Sequence, residues 1–355
     1  MKVLLLTSAE PTQRHGLSMI EKRFPLGLGY LAAVLQEQQH DVVIHDRFLH
    51  GSGSYPDGED WDLVGIYSNT PCVADTLHLL DYYSGFTTAV GGPHASLFPH
   101  TLSAADCIVQ GEGEEVILDI LAGARGVIKT ERIKDLDALP MPAYKLFASD
   151  PAYDTSMYFA PGRYFNMNTS RGCPYECSFC EVRKVWGRTY RAHSPHRVVR
   201  EAAFLREEYG IDGVYFREDN FTVNRHRAES IAGGMMALGL KWACETRVDT
   251  VDQGMLERLA RGGCVGLYIG FESGSQHMLD VFNKRTTVQQ AHDVANWCYD
   301  LGIKILGSFI TDHPEETAAD KAATLAFVQY HGKRALVKTC YNRFREFSAY
   351  ERFLT

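Results

Sequence analysis

Short apolar runs alternate with helix-spaced segments along this chain, and they do so twice. No other feature constrains the fold as tightly. In the first third, Met1 to Thr7, His40 to Asp46, Asp62 to Ser68, Thr87 to Gly91 and Cys107 to Gln110 read as strands. Leu26 to Gln39 places Leu28, Leu31, Ala32 and Leu35 on one side, and Cys72 to Tyr83 reads as a second helix, after a Gly, Ser and Pro rich loop at Gly51 to Gly58. Strand and helix in alternation predict parallel strands with helices on both faces. The expectation for residues 1–124 is a doubly wound, Rossmann-like α/β domain, with ligands at the carboxyl ends of its strands.

From Arg125 to Tyr164 the rhythm stops. Pro140, Pro142, Pro151 and Pro161 interrupt every element that could form, and 125–163 reads as a linker strap. It restarts with strands at Tyr164 to Ser170, Gly213 to Glu218, Leu240 to Arg247, Val265 to Glu272, Lys304 to Ile310 and Ala335 to Asn342. Helices are expected near Arg197 to Tyr209, Arg225 to Leu238, Gln253 to Arg261, Val288 to Leu301 and Glu315 to His331. Six strands joined by five crossovers predict a curved parallel sheet over 164–355, a partial (β/α)6 barrel amounting to three quarters of an eight-fold one.

Composition narrows the function classes. The 355 residues suffice for two or three domains, 45% of them hydrophobic and 23% charged, which excludes a disordered chain. A net charge of −8 with no run of five or six like charges argues against nucleic acid as a partner. Met1-Lys2-Val3-Leu4-Leu5-Leu6 is too short for a signal peptide or a membrane span, so the chain reads as cytoplasmic with no membrane partner. Nine cysteines, an odd number, argue for thiols and metal ligands over a disulfide framework. Cys72, Cys107, Cys244, Cys264, Cys298 and Cys340 are scattered and read by default as small core residues.

The other three carry chemistry. Cys173-Pro-Tyr-Glu-Cys177-Ser-Phe-Cys180 lies just after the first strand of the second sheet, and Arg171-Gly172 opens its loop. Three thiolates on one loop suit three corners of an iron-sulfur cube, leaving the fourth iron open. A zinc site completed by His193 competes with this, although zinc ligands usually come as two separated pairs. Unliganded core thiols fit poorly with a loop that carries Arg171, Glu176 and Ser178.

This spacing, at the end of the first strand of a partial barrel, resembles the radical S-adenosylmethionine (SAM) superfamily. The resemblance implies a [4Fe-4S] cluster on Cys173, Cys177 and Cys180 whose open iron binds SAM, and an electron that splits SAM into methionine and a 5′-deoxyadenosyl radical. Phe179 matches the aromatic residue near the adenine. Phe216-Arg-Glu-Asp219-Asn-Phe-Thr222, Trp242-Ala-Cys-Glu-Thr-Arg247-Val-Asp249 and Ile269-Gly-Phe-Glu272-Ser-Gly-Ser-Gln276 resemble the branch with an N-terminal cobalamin-binding domain. So do Pro25-Leu-Gly-Leu-Gly-Tyr-Leu-Ala-Ala33, Gly91-Gly-Pro-His-Ala95 and Gly111-Glu-Gly-Glu114, extending the resemblance over about residues 1 to 345.

Within it, Glu218 and Asp219 fall beside the methionine amino group. In the third strand Arg247, Glu245 and Ala243 share one face, and an inward arginine is costly unless an anion meets it. A SAM carboxylate is one such partner, and an internal ion pair with Glu272 or Glu245 is another; Glu272 would otherwise accept from ribose hydroxyls. If Glu272 faces the lumen, so do Gly270 and Tyr268, which puts Leu267, Ile269 and Phe271 against the helices.

The cobalamin half departs from a known pattern. No Asp-x-His-x-x-Gly string is present, Asp46 to Gly51 has the wrong spacing, and His94 reads as a loop residue in preference to a cobalt ligand. Gly91, Gly92, Gly111 and Gly113 would either let a flat macrocycle approach the backbone or simply make tight turns. In Thr311-Asp312-His313-Pro314-Glu315-Glu316-Thr317, His313 and Glu315 replace two glycines of the family turn, either to meet a polar substrate at the barrel mouth or to start a helix. Burying Val337, Thr339 and Tyr341 would turn Cys340 to the lumen, where a thiol could give a hydrogen atom to a substrate radical.

The reading is therefore a radical SAM enzyme of secondary-metabolite type, acting on a small polar molecule with an external electron donor such as flavodoxin or ferredoxin. With cobalamin it performs methyl transfer or rearrangement. The alternatives are a cobalamin-independent dehydratase, epimerase or decarboxylase, and a non-catalytic iron-sulfur or cobalamin sensor.

Overall fold

The computed structural model describes residues 1–9, 23–56, 60–153 and 159–343. The chain divides into two compact units that part at residues 154 and 155.

The first unit is a six-stranded parallel sheet. Its strands are β1 (Lys2–Thr7), β2 (Asp41–His45), β3 (Leu63–Tyr67), β4 (Thr88–Gly91), β5 (Cys107–Gln110) and β6 (Gly126–Lys129), in the order β2-β1-β3-β4-β5-β6. The order reverses at β1 and β3, which defines the switch point of a doubly wound sheet. Val3 to Leu6 are fully buried because both faces are covered. Val3 and Leu5 pack with Leu28, Ala32 and Leu35, while Leu4 and Leu6 pack with Leu79 and Leu80. Burial on both sides is what makes the opening sequence a continuous apolar run.

The strap differs from its sequence reading. Gly126–Lys129 is an edge strand paired in parallel with Cys107–Gln110, and its two β-branched residues precede the first of the interrupting prolines. The following segment folds back onto the first unit. Ile133, Leu136 and Leu139 bury against Tyr30, and the Ala143 amide donates to the Gly29 carbonyl at 2.9 Å. Gly29 admits this approach because a Cβ there would stand 3.1 Å from the Phe147 ring. Tyr144, Phe147 and Tyr153 surround Phe24, and the Tyr153 hydroxyl donates to Asp46 at 2.5 Å.

The second unit holds six parallel strands interleaved with helices, plus one short hairpin. Its elements are β7 (Tyr164–Met167), the hairpin strands β8 (Ser170–Arg171) and β9 (Arg191–Ala192), β10 (Gly213–Phe216), β11 (Lys241–Thr246), β12 (Cys264–Glu272), β13 (Lys304–Thr311) and β14 (Leu336–Arg343). The sheet runs β14-β13-β12-β11-β10-β7, the winding of a partial barrel. The expected first strand stops at Met167, and Ser170–Arg171 instead pairs antiparallel with Arg191–Ala192, closing the two ends of the cysteine segment. Along β12, Leu267, Ile269 and Phe271 are buried against the helices while Tyr268 and Gly270 are half-buried on the other face, as the alternation requires. The last helix begins at Ala318, three residues later than its pattern suggested. Thr317 caps it in a capping box with Asp320, so Pro314 lies in the turn before the helix. Among the described residues no helix is long and apolar enough to cross a membrane.

Candidate functional site: the cysteine loop of the second unit

Gly172 starts the loop with φ +87°, where a Cβ would collide with the Thr189 carbonyl, so only glycine fits. Its amide donates to Asp219 at 2.9 Å, pinning the loop to the segment after β10. On the far side the 281–285 loop holds it. The Ser178 amide donates to Phe282 O at 2.9 Å, Asn283 Nδ2 donates to Glu176 O at 3.0 Å, and the Glu176 carboxylate lies 2.9 Å from Arg188 and 3.2 Å from Arg285. Cys177 is buried, and Cys173 and Cys180 are half-buried. Burial pushes the Cys173 thiol up and the Cys180 thiol up to about 12; Cys173 also feels the charge of Cys177, and Cys180 that of both Cys177 and Cys173. Protonated thiols are poor ligands, so iron must displace those protons on binding. Among the described residues no three His, Cys, Asp or Glu side chains converge on a single metal ion.

Arg247 does not meet Glu272 or Glu245. Its Nε and Nη2 donate to the two Asp249 oxygens at 2.8 and 2.9 Å, Nη2 also to Lys284 O at 2.7 Å, and Nη1 to Cys177 Sγ at 3.0 Å. Asp249 stands two residues on, in the turn that ends β11, and so reaches the guanidinium before either barrel glutamate. Glu272 instead takes the buried Lys284 ammonium at 2.9 Å, and Glu245 accepts from Tyr215 Oη at 2.8 Å. Glu272 has φ +67° at an irregularity in the β12–β13 pairing.

Glu218 is buried and accepts from Thr169 Oγ1 at 2.6 Å, while its Oε2 has no hydrogen-bond partner. Burial lifts its carboxyl to about 7, against the pull of nearby Arg227. Burial likewise lifts Asp219 to about 6, opposed by the Gly172 amide. Next to them the buried Asn220 leaves Nδ2 unpartnered. Phe179 meets Phe282 edge-on at 5.5 Å, with the Lys284 ammonium 5.8 Å from its ring centre.

Cys340 pairs in register with Ser308, whose hydroxyl accepts from Asn342 Nδ2 at 2.8 Å. Register sets Glu245 beside Tyr268, Gly270 beside Ser308 and Ser308 beside Cys340, which places Cys340 on the same face of the sheet as Tyr268 and Gly270. Tyr341, expected to be buried, is 48% exposed because β14 is an open sheet edge. In the 311–317 turn, Asp312 pairs with Lys321 and Arg343, and His313 packs edge-on against Phe282 at 5.4 Å.

In the first unit, a Cβ on Gly92 (φ +102°) would stand 2.7 Å from Ser68 O, and one on Gly111 (φ +116°) would strike the Thr130 hydroxyl. A Cβ on Gly113 would press on Leu31, while Gly91 faces open space. Both His94 nitrogens are engaged, with Thr101 Oγ1 at 2.9 Å and Thr70 Oγ1 at 3.2 Å, and burial lowers its pKa to about 4. His94, expected in a loop, is instead carried fully buried on a short helix, Pro93–Leu97, which Pro93 starts at its first turn.

A family model for the radical SAM superfamily matches residues 167–328, and one for the B12 binding domain matches residues 22–121. An uncharacterised methyltransferase of Pyrococcus horikoshii is 33% identical over 341 residues, covering 86% of this chain and 73% of that protein. The chain belongs to the radical SAM superfamily, in the branch with a B12-binding domain. The cytidylyl-2-hydroxyethylphosphonate methyltransferase of Streptomyces wedmorensis is 27% identical, covering 88% of this chain and 73% of that one. The radical SAM methyltransferase TsrM of Kitasatospora setae, solved with cobalamin and a [4Fe-4S] cluster bound, superposes with a TM-score of 0.72 at 16% identity, over 96% of this chain and 74% of that one. The cobalamin-dependent radical enzyme OxsB gives 0.71 at 19%, over 99% and 55%. At such identities these two structures show the shared fold.

For this radical SAM enzyme the residues fit the cofactor set. Three soft thiols share one loop with an arginine N–H at one sulfur, and buried polar atoms of Glu218 and Asn220 stand unpartnered on the segment that pins the loop. Sequence reasoning missed Lys284, Tyr175, Thr169 and Arg227. Tyr175 and Asp249 carried a visible signal, one inside the cysteine motif and the other two residues from Arg247 in the third-strand motif.

Proposed function

We propose that this radical SAM enzyme cleaves SAM reductively at a [4Fe-4S] cluster on Cys173, Cys177 and Cys180, and that it methylates a small polar substrate with cobalamin in its first unit. One observation carries the reading: a cysteine loop pinned on both sides, beside buried polar atoms that no protein group satisfies. Glu218 Oε2 and Asn220 Nδ2 would meet the polar end of SAM, with Asp219 beside them. Methyl transfer is favoured over dehydration, epimerisation or sensing because the two relatives above are both methyltransferases. Tyr215, Glu245, Tyr268, Ser308 and Asn342 supply polar groups for a polar substrate. Gly91, with open space at its Cβ position, is where a macrocycle would approach the first sheet.

The electron would come from flavodoxin or ferredoxin in the cytoplasm. Arg183 and Lys184 are exposed on the short helix that begins two residues after Cys180, in a chain whose net charge is −8, and suit an acidic carrier. The test is anaerobic reconstitution with iron, sulfide and hydroxocobalamin, then assay of bound cobalt and of 5′-deoxyadenosine after reduction with SAM. Cobalt near one per chain together with 5′-deoxyadenosine is expected. Cobalt near zero would remove the methyl-transfer reading, and absence of 5′-deoxyadenosine would remove the enzyme reading.

A further inference from the structure

Arg247 is placed where a SAM carboxylate partner was expected, yet four of its five N–H groups already have protein partners. A guanidinium has five N–H groups. Two go to the Asp249 carboxylate, one to the Lys284 carbonyl and one to Cys177 Sγ. The Tyr175 ring covers the guanidinium with its centroid 3.9 Å from Cζ, and Arg247 is 6% exposed. Its contacts thus come from the cysteine loop, the turn after β11 and the 281–285 loop. A bidentate carboxylate and a carbonyl fix the plane of the guanidinium, and that plane directs Nη1 at one sulfur.

We propose that Arg247 is a positioning residue that sets the reduction potential of the cluster through its hydrogen bond to the sulfur of Cys177. The proposal rests on the radical SAM reading above. When the cluster accepts one electron from the external carrier, negative charge grows on iron and on its thiolate ligands. No bond to Arg247 forms or breaks in that step. A buried cation with an N–H at the sulfur stabilises the added charge, and hydrogen bonds and net charge around the sulfurs are among the factors that set cluster potentials. Burial strengthens the effect because the low local dielectric screens it weakly. Asp249 offsets part of the charge but leaves the N–H in place, so the directed hydrogen bond carries the influence.

The test is redox potentiometry of the reconstituted cluster, followed by electron paramagnetic resonance without SAM, on the parent, Arg247→Met and Arg247→Lys. The midpoint is expected to become more negative in Arg247→Met, and Arg247→Lys, which keeps the charge but loses the planar fork, should fall between. SAM affinity, measured separately on the oxidised proteins, should stay close to the parent value. Parent-like midpoints in both variants would overturn the proposal, as would weakened SAM binding with unchanged midpoints, the signature of a carboxylate anchor. If Arg247→Met assembles no cluster, Arg247→Lys decides alone, and a parent-like midpoint there overturns the proposal. A parent protein that shows neither cluster signal nor SAM cleavage would instead defeat the functional reading itself.

Discussion

The two units share parallel strands and crossover helices, and they differ in how the polar groups near their strand ends are satisfied. In the first unit most of these groups answer one another, with Arg47 Nε left over. Thr7 and Tyr153 both donate to Asp46, Arg47 donates to Asp75 and to the carbonyls of Ser52 and Ser54, and Ser68 bonds Thr76. In the second unit Glu218 and Asn220 hold buried atoms with no partner, and burial raises the Glu218 carboxyl to about 7 and the Asp219 carboxyl to about 6. Buried polar groups are normally satisfied, so those that are not mark a place built for a ligand. The first unit, whose Asp46, Asp75 and Ser68 are paired within it and whose Arg47 leaves only Nε without a partner, would take a cofactor by shape and backbone approach.

The sharpest way to break this comparison is to replace Cys173, Cys177 and Cys180 together by alanine. Iron and the visible absorption of the cluster should vanish, and 5′-deoxyadenosine formation should fall to background. The fold should survive, because two of the three side chains are only half-buried. Collapse of the fold would show instead that the thiols serve the core.

Next in size is Arg47→Ala. Arg47 is fully buried and lies 2.7 Å from Asp75, so its removal strands a buried carboxylate at a cost of about 3–5 kcal/mol. Hydrogen exchange read segment by segment should speed up in β1, β2 and β3 and stay unchanged in β10 to β13. Equal acceleration in both sheets would refute the division of labour between the units.

These contrasts show what a sequence can and cannot reveal. Val3 to Leu6 announced a strand because both of its faces are covered, so every residue had to be apolar. Gly126–Lys129 did not, since an edge strand with Val127 53% exposed needs no such run. The cysteine spacing was legible because one loop supplies all three ligands. Arg247 was legible as a buried cation, but its sulfur partner lies 70 positions away and its carbonyl partner 37. Which anion a buried arginine meets depends on where three loops arrive, and strand alternation alone carries no information about that.

A smaller effect follows from Glu218. Its folded pKa of about 7 lies above the ordinary 4.5, so the native state keeps a proton that the unfolded chain releases. The stability linked to that proton is fully present below pH 4.5 and is lost as pH rises through about 7, by on the order of 1–3 kcal/mol. Glu218→Gln should flatten this slope in thermal melts of the cofactor-free protein between pH 4.5 and 7. An unchanged slope would assign the titration elsewhere, with Asp219 next to test.

The smallest effect is expected at Cys340. A thiol beside Tyr268 and Ser308 stands where a hydrogen donor to a substrate radical would be useful, but methyl transfer ends that radical by forming a carbon-carbon bond and needs no hydrogen atom. Under the methyltransferase reading, Cys340→Ala should therefore leave the methylated product and its ratio to 5′-deoxyadenosine nearly unchanged. Loss of product with continued 5′-deoxyadenosine formation would move the chemistry to a redox-neutral reaction that requires hydrogen return. The first unit would then be a platform that no longer depends on its cofactor, and the contrast between the two units would have to be explained without methyl transfer.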